Sequence, residues 1–396
     1  MKKILFALIV IVVLLTSTLF VYHHLRSELM TFDNDDQGSV DPEVAQIWSN
    51  VNINSSTVNI LKKSFETNKD NTVISGLSLD FSVGMLANGV KGQSLEDLTN
   101  FLETSIEDKT KELQEKAQHL PRTLQISNSI WGNEFKKTYK SLIENTFKAS
   151  AQPLPANTDV IDKWIKKKTH GKIKELLGSN PTEPSDLFLV NTVYFKDKWE
   201  DPFKKENTRR KTFHAFFGND KKVEMMFKHD DILYAENFEL QSVKLPYENG
   251  GYMIIFLPKS YVNFEEFVSG LSADDLQLNY TEQDVKLYLP KFKIEQETNI
   301  KNLFSSMGIK EMFNPNTMDL ADISTRENIY VADIKQKAVV EVDESGTVAA
   351  AATEVEMKMG CAFCEPPPAI EFVADRPFLF FISQGDFIGF YTGSEK

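Results

Sequence analysis

The chain has 396 residues, a net charge of −13, 41% hydrophobic residues and 26% charged residues. This composition is typical of a folded soluble protein and excludes an intrinsically disordered one. The strong negative charge argues against nucleic acid or an anionic membrane surface as a partner.

The N-terminus has the pattern of a secretory signal peptide. Lys2 and Lys3 precede an apolar run from Ile4 to Leu15, and small polar residues follow. We therefore predict a signal peptide over residues 1–25, a flexible acidic lead-in over 26–41, a domain over 42–396, and secretion to the extracellular space. The alternative is an uncleaved signal anchor, because apolar residues resume at Leu19.

Two sequons fit a secreted glycoprotein. Asn54 and Asn279 each begin an Asn-x-Ser/Thr triplet, so we predict N-glycosylation at both residues. After cleavage of the signal peptide we expect no contact with a membrane.

Helices and strands follow one another without a regular β-α-β rhythm, which favours an α+β fold. Apolar spacing predicts a basic amphipathic helix that carries Ile161, Trp164, Ile165, Ile173, Leu176 and Leu177 on one side. The run from Leu187 to Phe195 is nearly continuous in apolar residues and predicts a central strand covered on both faces. No Pro/Gly/Ser-rich linker divides the rest of the chain, so we predict one large domain.

The second half of the chain contains a hairpin and a capped helix. Two apolar runs, 243–247 and 252–257, flank the turn sequence Glu-Asn-Gly-Gly at 248–251. Further on, Ile300, Leu303, Phe304 and Met307 have helical spacing, with Asn299 as the predicted N-cap and Gly308 as the stop.

No motif for catalysis is present in the sequence. There is no nucleophile elbow, zinc-protease helix, phosphate-binding loop or dinucleotide fingerprint, and the six histidines are scattered. We predict no enzyme activity, no metal site and no cofactor. The lysines between Lys163 and Lys174 are interpreted as the solvated face of the amphipathic helix, with polyanion binding as the alternative.

The stretch Glu344–Thr353 has an unusual composition for this position in a domain. It consists mainly of small residues and alternates from Thr347 onward, so that Thr347, Ala349, Ala351 and Thr353 share one face. Such a segment suits an exposed loop that is also able to become a strand with one buried face.

The only cysteines, Cys361 and Cys364, lie just beyond this stretch. Two cysteines cannot provide a disulfide framework for a chain of this size, so the core must supply the stability. Their C-x-x-C spacing lacks the surrounding β-α-β unit that a redox motif requires. They are interpreted as loop thiols, either free or bridged.

Several motifs in order resemble those of the serpins. They are Asn71–Ser78, Asn191–Trp199 followed by Pro202-Phe203, Leu289–Phe292, Met307–Ile309, the stretch Glu344–Thr353 and Phe372–Ile382. The resemblance spans residues 44–391. It implies one α+β domain of three β-sheets and eight or nine helices, with an exposed reactive-centre loop.

The resemblance also implies a mechanism of suicide inhibition. A serine protease attacks the loop and forms an acyl-enzyme, and the cleaved loop then inserts into the large sheet as a new strand before deacylation. The pattern of alternating residues supports an inhibitory chain, because no inward position from Thr347 to Met357 carries a charge. An inward unpaired charge would cost several kcal/mol, roughly, and would slow insertion.

The resemblance assigns two groups of residues to this mechanism. The hinge comprises Glu344, Gly346, Thr347, Ala349, Ala350, Ala351, Ala352 and Thr353. The cluster that gates insertion comprises Ser75, Ser78, Asn191, Gln336 and Trp199. Two departures stand out: Gly76 replaces the usual Pro, and Gln336 replaces the usual His, which removes the pH dependence that a histidine would bring.

The scissile bond follows from the family's usual spacing after the hinge glycine. It falls between Gly360 and Cys361, and an elastase-like or chymotrypsin-like protease is the favoured target. A register shift would place it after Met359, Cys361 or Lys358, and Lys358 would favour a trypsin-like protease. We expect a monomer. The alternatives are a non-inhibitory serpin that acts as a carrier or storage protein, and a surface serpin held by a signal anchor.

Overall fold

In a computed structural model of the chain, residues 53–394 are described apart from 170, 172, 174, 178–179, 181, 184–185, 317–318 and 348–367. Eight α-helices occur in that part of the chain. They are α1 (Ser55–Thr67), α2 (Gly76–Ala87), α3 (Gly92–Leu102), α4 (Ile106–Gln118), α5 (Lys137–Asn145), α6 (Asp159–Lys168), α7 (Phe264–Gly270) and α8 (Ile300–Ser306). The predicted signal peptide and lead-in lie outside the described residues, so those boundaries stay a prediction.

Five strands form the sheet that carries the proposed hinge. They are β2 (Leu124–Gly132), β3 (Ser150–Pro153), β4 (Asp186–Phe195), β10 (Phe292–Asn299) and β11 (Tyr330–Val342). Their order is β10–β11–β4–β2–β3, and β4 is the central strand. The predicted strand at 187–195 is therefore confirmed. Its two faces pack on different clusters: Leu189 and Val193 join the main core, whereas Val190 and Tyr194 pack with α6.

The remaining nine strands form a second hydrogen-bonded network. They are β1 (Thr72–Ser75), β5 (Arg209–Phe213), β6 (Lys221–Glu236), β7 (Leu240–Pro246), β8 (Tyr252–Pro258), β9 (Thr281–Pro290), β12 (Ile370–Val373), β13 (Phe378–Ile382) and β14 (Phe387–Tyr391). The long strand β6 pairs with β5 at its start and with β7 at its end, and it pairs with β9 along the opposite edge. Two of the three expected sheets thus share β6 and are continuous in hydrogen bonding.

Local sequence signals explain several of these elements. The predicted hairpin is confirmed as β7 and β8, and its turn contains Gly250 and Gly251, both with positive φ, a conformation that glycine adopts without strain. Helix α8 begins after Asn299, whose side chain accepts the N–H of Asn302 as an N-cap. Gly308, with φ of 93°, follows its end.

The predicted basic helix is shorter than its apolar spacing indicated. Helix α6 ends at Lys168, and the Thr169 hydroxyl bonds to the carbonyl oxygens of Ile165 and Ile173. Gly171 then adopts a positive φ, which ends the helix. Ile173, Leu176 and Leu177 lie beyond the helix but pack in the same buried cluster, so their apolar character reflects burial and not helical periodicity.

Helix α2 is the most deeply buried helix among those described. All of its residues from Gly76 to Ala87 are buried, and it packs beneath the five-stranded sheet. It carries the predicted gating residue Ser78, while Ser75 precedes it as N-cap. None of the helices in the described part of the chain is long and apolar enough to cross a membrane.

Candidate functional site at the hinge and the sheet seam

The candidate site begins where β11 runs beside β4. The two strands are parallel, with pairs from Tyr330 and Asp186 at one end to Val339 and Tyr194 at the other. We call the line along which β11 and β4 pair the seam. Because the strands are parallel, a chain that reverses direction at the end of β11 runs antiparallel to both of them. The seam is therefore a position in which a reversed segment can form antiparallel pairs on both sides.

The chain makes that reversal at residues 343–347, which we call the hinge base. Asp343 and Gly346 exchange two backbone hydrogen bonds, 2.8 and 3.3 Å long, and so close a tight turn. Gly346 also forms an antiparallel bridge with Lys198, in the segment that follows β4. Gly346 is thus flanked by the β11 side and the β4 side at once, which is the pairing of the first residue of an additional strand.

The backbone bonds around Gly346 extend this pairing. The Thr347 N–H donates to the Asp197 carbonyl oxygen at 2.6 Å, and the Trp199 N–H donates to the Ser345 carbonyl oxygen at 3.0 Å. A third bond runs from the Phe203 N–H to the Glu344 carbonyl oxygen at 2.8 Å. The hinge base is therefore held mainly by its main chain, and these bonds do not depend on which side chains it carries.

Only glycine fits at position 346. Its φ is 140°, and an added Cβ would lie 2.3 Å from the Asp197 carbonyl oxygen, 2.5 Å from the Lys198 Cα and 2.7 Å from the Trp199 nitrogen. All three atoms belong to the backbone and cannot rotate away. The glycine is required both by its dihedral angle and by the close approach of the segment after β4.

Thr347 is fully buried at the start of the proposed inserting face. Its hydroxyl is 3.1 Å from the Tyr247 hydroxyl. Burial raises the pKa of Tyr247 far above its usual range, so this phenol stays neutral and available for hydrogen bonding. A small polar side chain is accommodated here, and a long or charged one has no space.

Trp199 contacts the hinge base, and among the described residues its hydrogen bonds and ring contacts do not include the other four residues of the predicted gating cluster. Its ring stacks on Tyr247 with centroids 4.7 Å apart, and its indole N–H donates to the Asp343 carbonyl oxygen at 3.0 Å. The sequence prediction placed Trp199 with Ser75 and Gln336. The structure instead gives it contacts with the turn that precedes the reactive loop.

Among the described residues, Glu344 supplies the ion pair of the hinge base. Its carboxylate accepts from Lys291 at 2.7 Å and from the Thr208 hydroxyl at 2.7 Å, and the residue is buried. Burial alone would raise the pKa of Glu344, but the bonds from Lys291 and Thr208 outweigh it and hold the pKa below its usual value. The carboxylate therefore stays ionised at neutral pH.

The other four residues of the predicted gating cluster are brought together beneath the seam, and we keep the name gating cluster for them. The Gln336 side-chain oxygen accepts the Ser75 N–H at 3.1 Å. Its amide nitrogen donates to the Ser75 carbonyl oxygen at 3.0 Å and to the Ser78 hydroxyl at 2.9 Å. Asn191 pairs with Gln336 in register across the seam and donates to the Ser78 carbonyl oxygen at 3.1 Å. All four residues are buried.

Sequence reasoning missed Asn128, which extends this polar group onto a third strand. Asn128 lies opposite Asn191 on β2, and its side-chain oxygen accepts a hydrogen bond from the Asn191 amide. Its only sequence signal is a polar residue at a buried strand position, and that signal is ambiguous because strands also carry polar residues on solvent faces. The Asn191 oxygen has no partner among the described residues.

Gly76 has a role that proline could not fill. Its N–H donates to the Asp386 carbonyl oxygen at 2.9 Å, and a Cβ at this position would approach the Thr57 hydroxyl oxygen to 2.6 Å. Proline lacks that N–H. The departure from the usual proline therefore adds a hydrogen bond between the start of α2 and the turn that contains Asp386.

The other predicted site residues divide into two groups. The rest of the hinge and the predicted scissile bond lie outside the described residues; these are Ala349, Ala350, Ala351, Ala352, Thr353, Lys358, Met359, Gly360 and Cys361. Of the two sequons, Asn279 is exposed, whereas Asn54 caps α1 by accepting the Thr57 N–H at 2.7 Å.

Comparisons with known proteins agree with this arrangement. The family model described as Serpin (serine protease inhibitor) matches residues 51–390. An uncharacterized serpin-like protein of Thermococcus kodakarensis is 32% identical over 352 residues, covering 83% of this chain and 81% of that protein. The protein Iris of Ixodes ricinus is 30% identical over 349 residues, covering 82% and 92%.

Solved structures show the same fold. The native state of the thermophilic serpin tengpin superposes with a TM-score of 0.76 at 27% identity, covering 92% of this chain and 98% of that one. The α+β architecture expected from the motifs is thereby confirmed. The chain belongs to the serpin family, which is described as a family of serine protease inhibitors.

Proposed function

We propose that this serpin is a suicide-substrate inhibitor of serine proteases that traps the acyl-enzyme by inserting its cleaved loop at the seam. The observation that carries the proposal is the position of Gly346 between Asp343 and Lys198. The first residue pair of a sixth strand is already formed, so insertion has only to propagate. A loop that lacked this pairing would first need to nucleate a strand.

The energetics favour propagation once the loop is cut. About ten new backbone hydrogen bonds at about 1 kcal/mol net each would contribute about 10 kcal/mol. The buried environment of Thr347 fits an inserting face of small uncharged residues. These side chains let the sheet open with little steric resistance, which matters because insertion competes with deacylation.

The scissile bond is proposed to lie between Gly360 and Cys361. A glycine before the bond suits an elastase-like pocket, and Met359 would suit an elastase-like or chymotrypsin-like protease. Cleavage after Lys358 would indicate a trypsin-like target instead. Mass spectrometry of the peptide released by each protease identifies the bond, and a cut before Met357 would contradict the proposed register.

We also propose that the chain acts outside the cell after removal of residues 1–25. The exposed side chain of Asn279 is compatible with a glycan on the folded surface, whereas the Asn54 oxygen is engaged as a helix cap. The N-terminal sequence of the protein from its producing cells tests the cleavage. An intact N-terminus would favour the signal-anchored alternative.

The inhibitory function is tested by incubation with a panel of elastase-like, chymotrypsin-like and trypsin-like proteases. At least one is expected to yield a covalent complex that survives SDS. Cleavage of the loop by every protease without any complex would contradict the proposal and would favour a carrier or storage role. The Thr347→Arg variant is the matched control, because it keeps the scissile bond but blocks insertion.

A further inference from the structure

Asp197 connects the hinge base to the rest of the molecule through both its main chain and its side chain. Its carbonyl oxygen accepts the Thr347 N–H at 2.6 Å. It directly precedes Lys198, which forms the bridge with Gly346. The conformation of Asp197 therefore determines whether the segment after β4 can pair with the hinge base.

The Asp197 side chain is anchored at three points. One carboxylate oxygen accepts from the Asn249 amide at 2.7 Å and from the Lys198 N–H at 2.8 Å. The other oxygen accepts from the Gln384 amide at 3.3 Å. Asn249 belongs to the turn between β7 and β8, and Gln384 belongs to the turn between β13 and β14. The carboxylate thus ties the segment after β4 to two turns of the larger strand network.

This anchor is made with a buried charge that has no cationic partner among the described residues. Asp197 is 2% exposed. The charged side chains beside it are Glu248 and Lys198, and these pair with each other at 3.6 Å. Burying an unpaired carboxylate is costly unless hydrogen bonds compensate it. The neutral donors from Asn249, Gln384 and the main chain offset part of that cost.

We infer that Asp197 is a positioning residue for loop insertion, whose side chain fixes the segment after β4 so that its carbonyl oxygen holds Thr347 in the register of the sixth strand. The inference rests on the proposed function but concerns a different step, because it addresses how the first residue pair is held before cleavage. Positioning of this segment requires the hydrogen bonds of the side chain at position 197 and not its negative charge.

Two substitutions separate hydrogen bonding from charge. In Asp197→Asn the new amide nitrogen faces Gln384, whose side-chain oxygen has no partner among the described residues. Rotation of the Gln384 amide lets that oxygen accept the new N–H, so the anchor is kept. Asp197→Ala removes all three side-chain bonds. Asp201→Ala is the matched control, since Asp201 lies in the same segment but is exposed and pairs with Lys228.

Hydrogen exchange at the Thr347 amide tests the inference without any protease. The wild type, Asp197→Asn and Asp201→Ala are expected to protect this amide equally, and Asp197→Ala is expected to exchange about tenfold faster. Wild-type protection in Asp197→Ala would overturn the inference. An equal loss of protection at the Thr347 amide in Asp201→Ala would overturn it as well, because the effect would then not be specific to the side chain of Asp197.

The partition between inhibition and substrate cleavage gives a second readout. Asp197→Ala is expected to consume more inhibitor per complex formed, while its initial association rate with the protease stays unchanged, because the scissile segment is untouched. Asp197→Asn is expected to behave like the wild type. An unchanged partition in Asp197→Ala would contradict the inference. If the wild type forms no complex with any protease, the proposed function fails and the exchange experiment still decides the role of Asp197.

Discussion

The hinge base follows the end of β11, whereas the gating cluster lies beneath the seam. The two regions are held together by different interactions. The hinge base relies on backbone hydrogen bonds and, among the described residues, on an ion pair between buried Glu344 and partly exposed Lys291. The gating cluster relies on neutral amide and hydroxyl side chains that are completely buried. The first region therefore restricts the size of its residues, and the second restricts their hydrogen-bonding groups.

This difference predicts different responses to substitution. At the hinge base a change of volume or charge should disturb function directly, because the backbone has no room to shift. In the gating cluster a change of hydrogen-bonding capacity should reduce stability, because buried donors and acceptors lose their partners. The substitutions below test that contrast, beginning with the largest expected effect.

Thr347→Arg should abolish formation of the covalent complex and leave the chain a substrate. Arginine at a position that is fully buried before cleavage has no partner and would cost several kcal/mol, roughly, so it would open the residue pair from which insertion propagates. Electrophoresis in SDS after incubation with a protease measures this. Lys198→Arg, at the exposed side chain beside the same pair, is the control that should still form complex. A complex formed by Thr347→Arg would show that insertion does not begin at this residue.

Gln336→Ala should lower the free energy of unfolding by about 4 kcal/mol, because three buried polar groups lose their partner and a cavity forms. Urea unfolding measures this. Lys337→Ala is the control on the same strand; it removes an ion pair with Glu295 and a hydrogen bond to the Glu175 carbonyl oxygen, both outside the gating cluster, and should cost about 1 kcal/mol. Equal losses in the two variants would contradict the distinct role of the gating cluster.

Gly346→Ala should cost about 3 kcal/mol, since it combines an unfavourable φ with a backbone clash. Gly218→Ala provides the comparison, because Gly218 also has a positive φ but has open space around it. That variant should cost only about 1 kcal/mol. If both variants lost the same stability, the close approach of the segment after β4 would not explain the glycine.

Asp197→Asn should remove a modest pH dependence of stability. Burial raises the pKa of Asp197 to about 6 from an ordinary 3.8, so the folded state takes up this proton at higher pH than the unfolded chain does. The wild type therefore gains stability from this group as the pH falls from 7 to 5, by about 1 kcal/mol. Unfolding curves at the two pH values should show a smaller gain in the variant. An identical gain would mean that Asp197 titrates normally.

The sequence predicted elements with strong local signals. The β7–β8 hairpin follows from its Gly-Gly turn between apolar runs, and α8 follows from its Asn299 cap. The predicted end of the basic helix was wrong, because Ile173, Leu176 and Leu177 continue the apolar spacing after α6 has ended. Periodicity cannot separate a helix from a buried irregular segment when both face the same core.

The candidate site was predictable only where a motif contains it. The resemblance supplied Ser75, Ser78, Asn191 and Gln336, but it could not supply Asn128 or Asp197. The importance of Asn128 depends on register across β2 and β4, and that of Asp197 depends on three segments far apart in sequence. Such tertiary hydrogen bonds leave no pattern in a single sequence. The contact of Trp199 with the hinge base likewise depends on tertiary structure.

The central claim is that the cleaved loop enters the seam between β11 and β4 as a sixth strand. Thermal unfolding before and after cleavage of the loop tests it most directly, with Thr347→Arg cleaved in parallel. About 10 kcal/mol of new hydrogen bonding should raise the Tm of the cleaved wild type by about 10 °C or more, and the cleaved variant should show little increase. An unchanged Tm after complete cleavage of the wild type would contradict insertion.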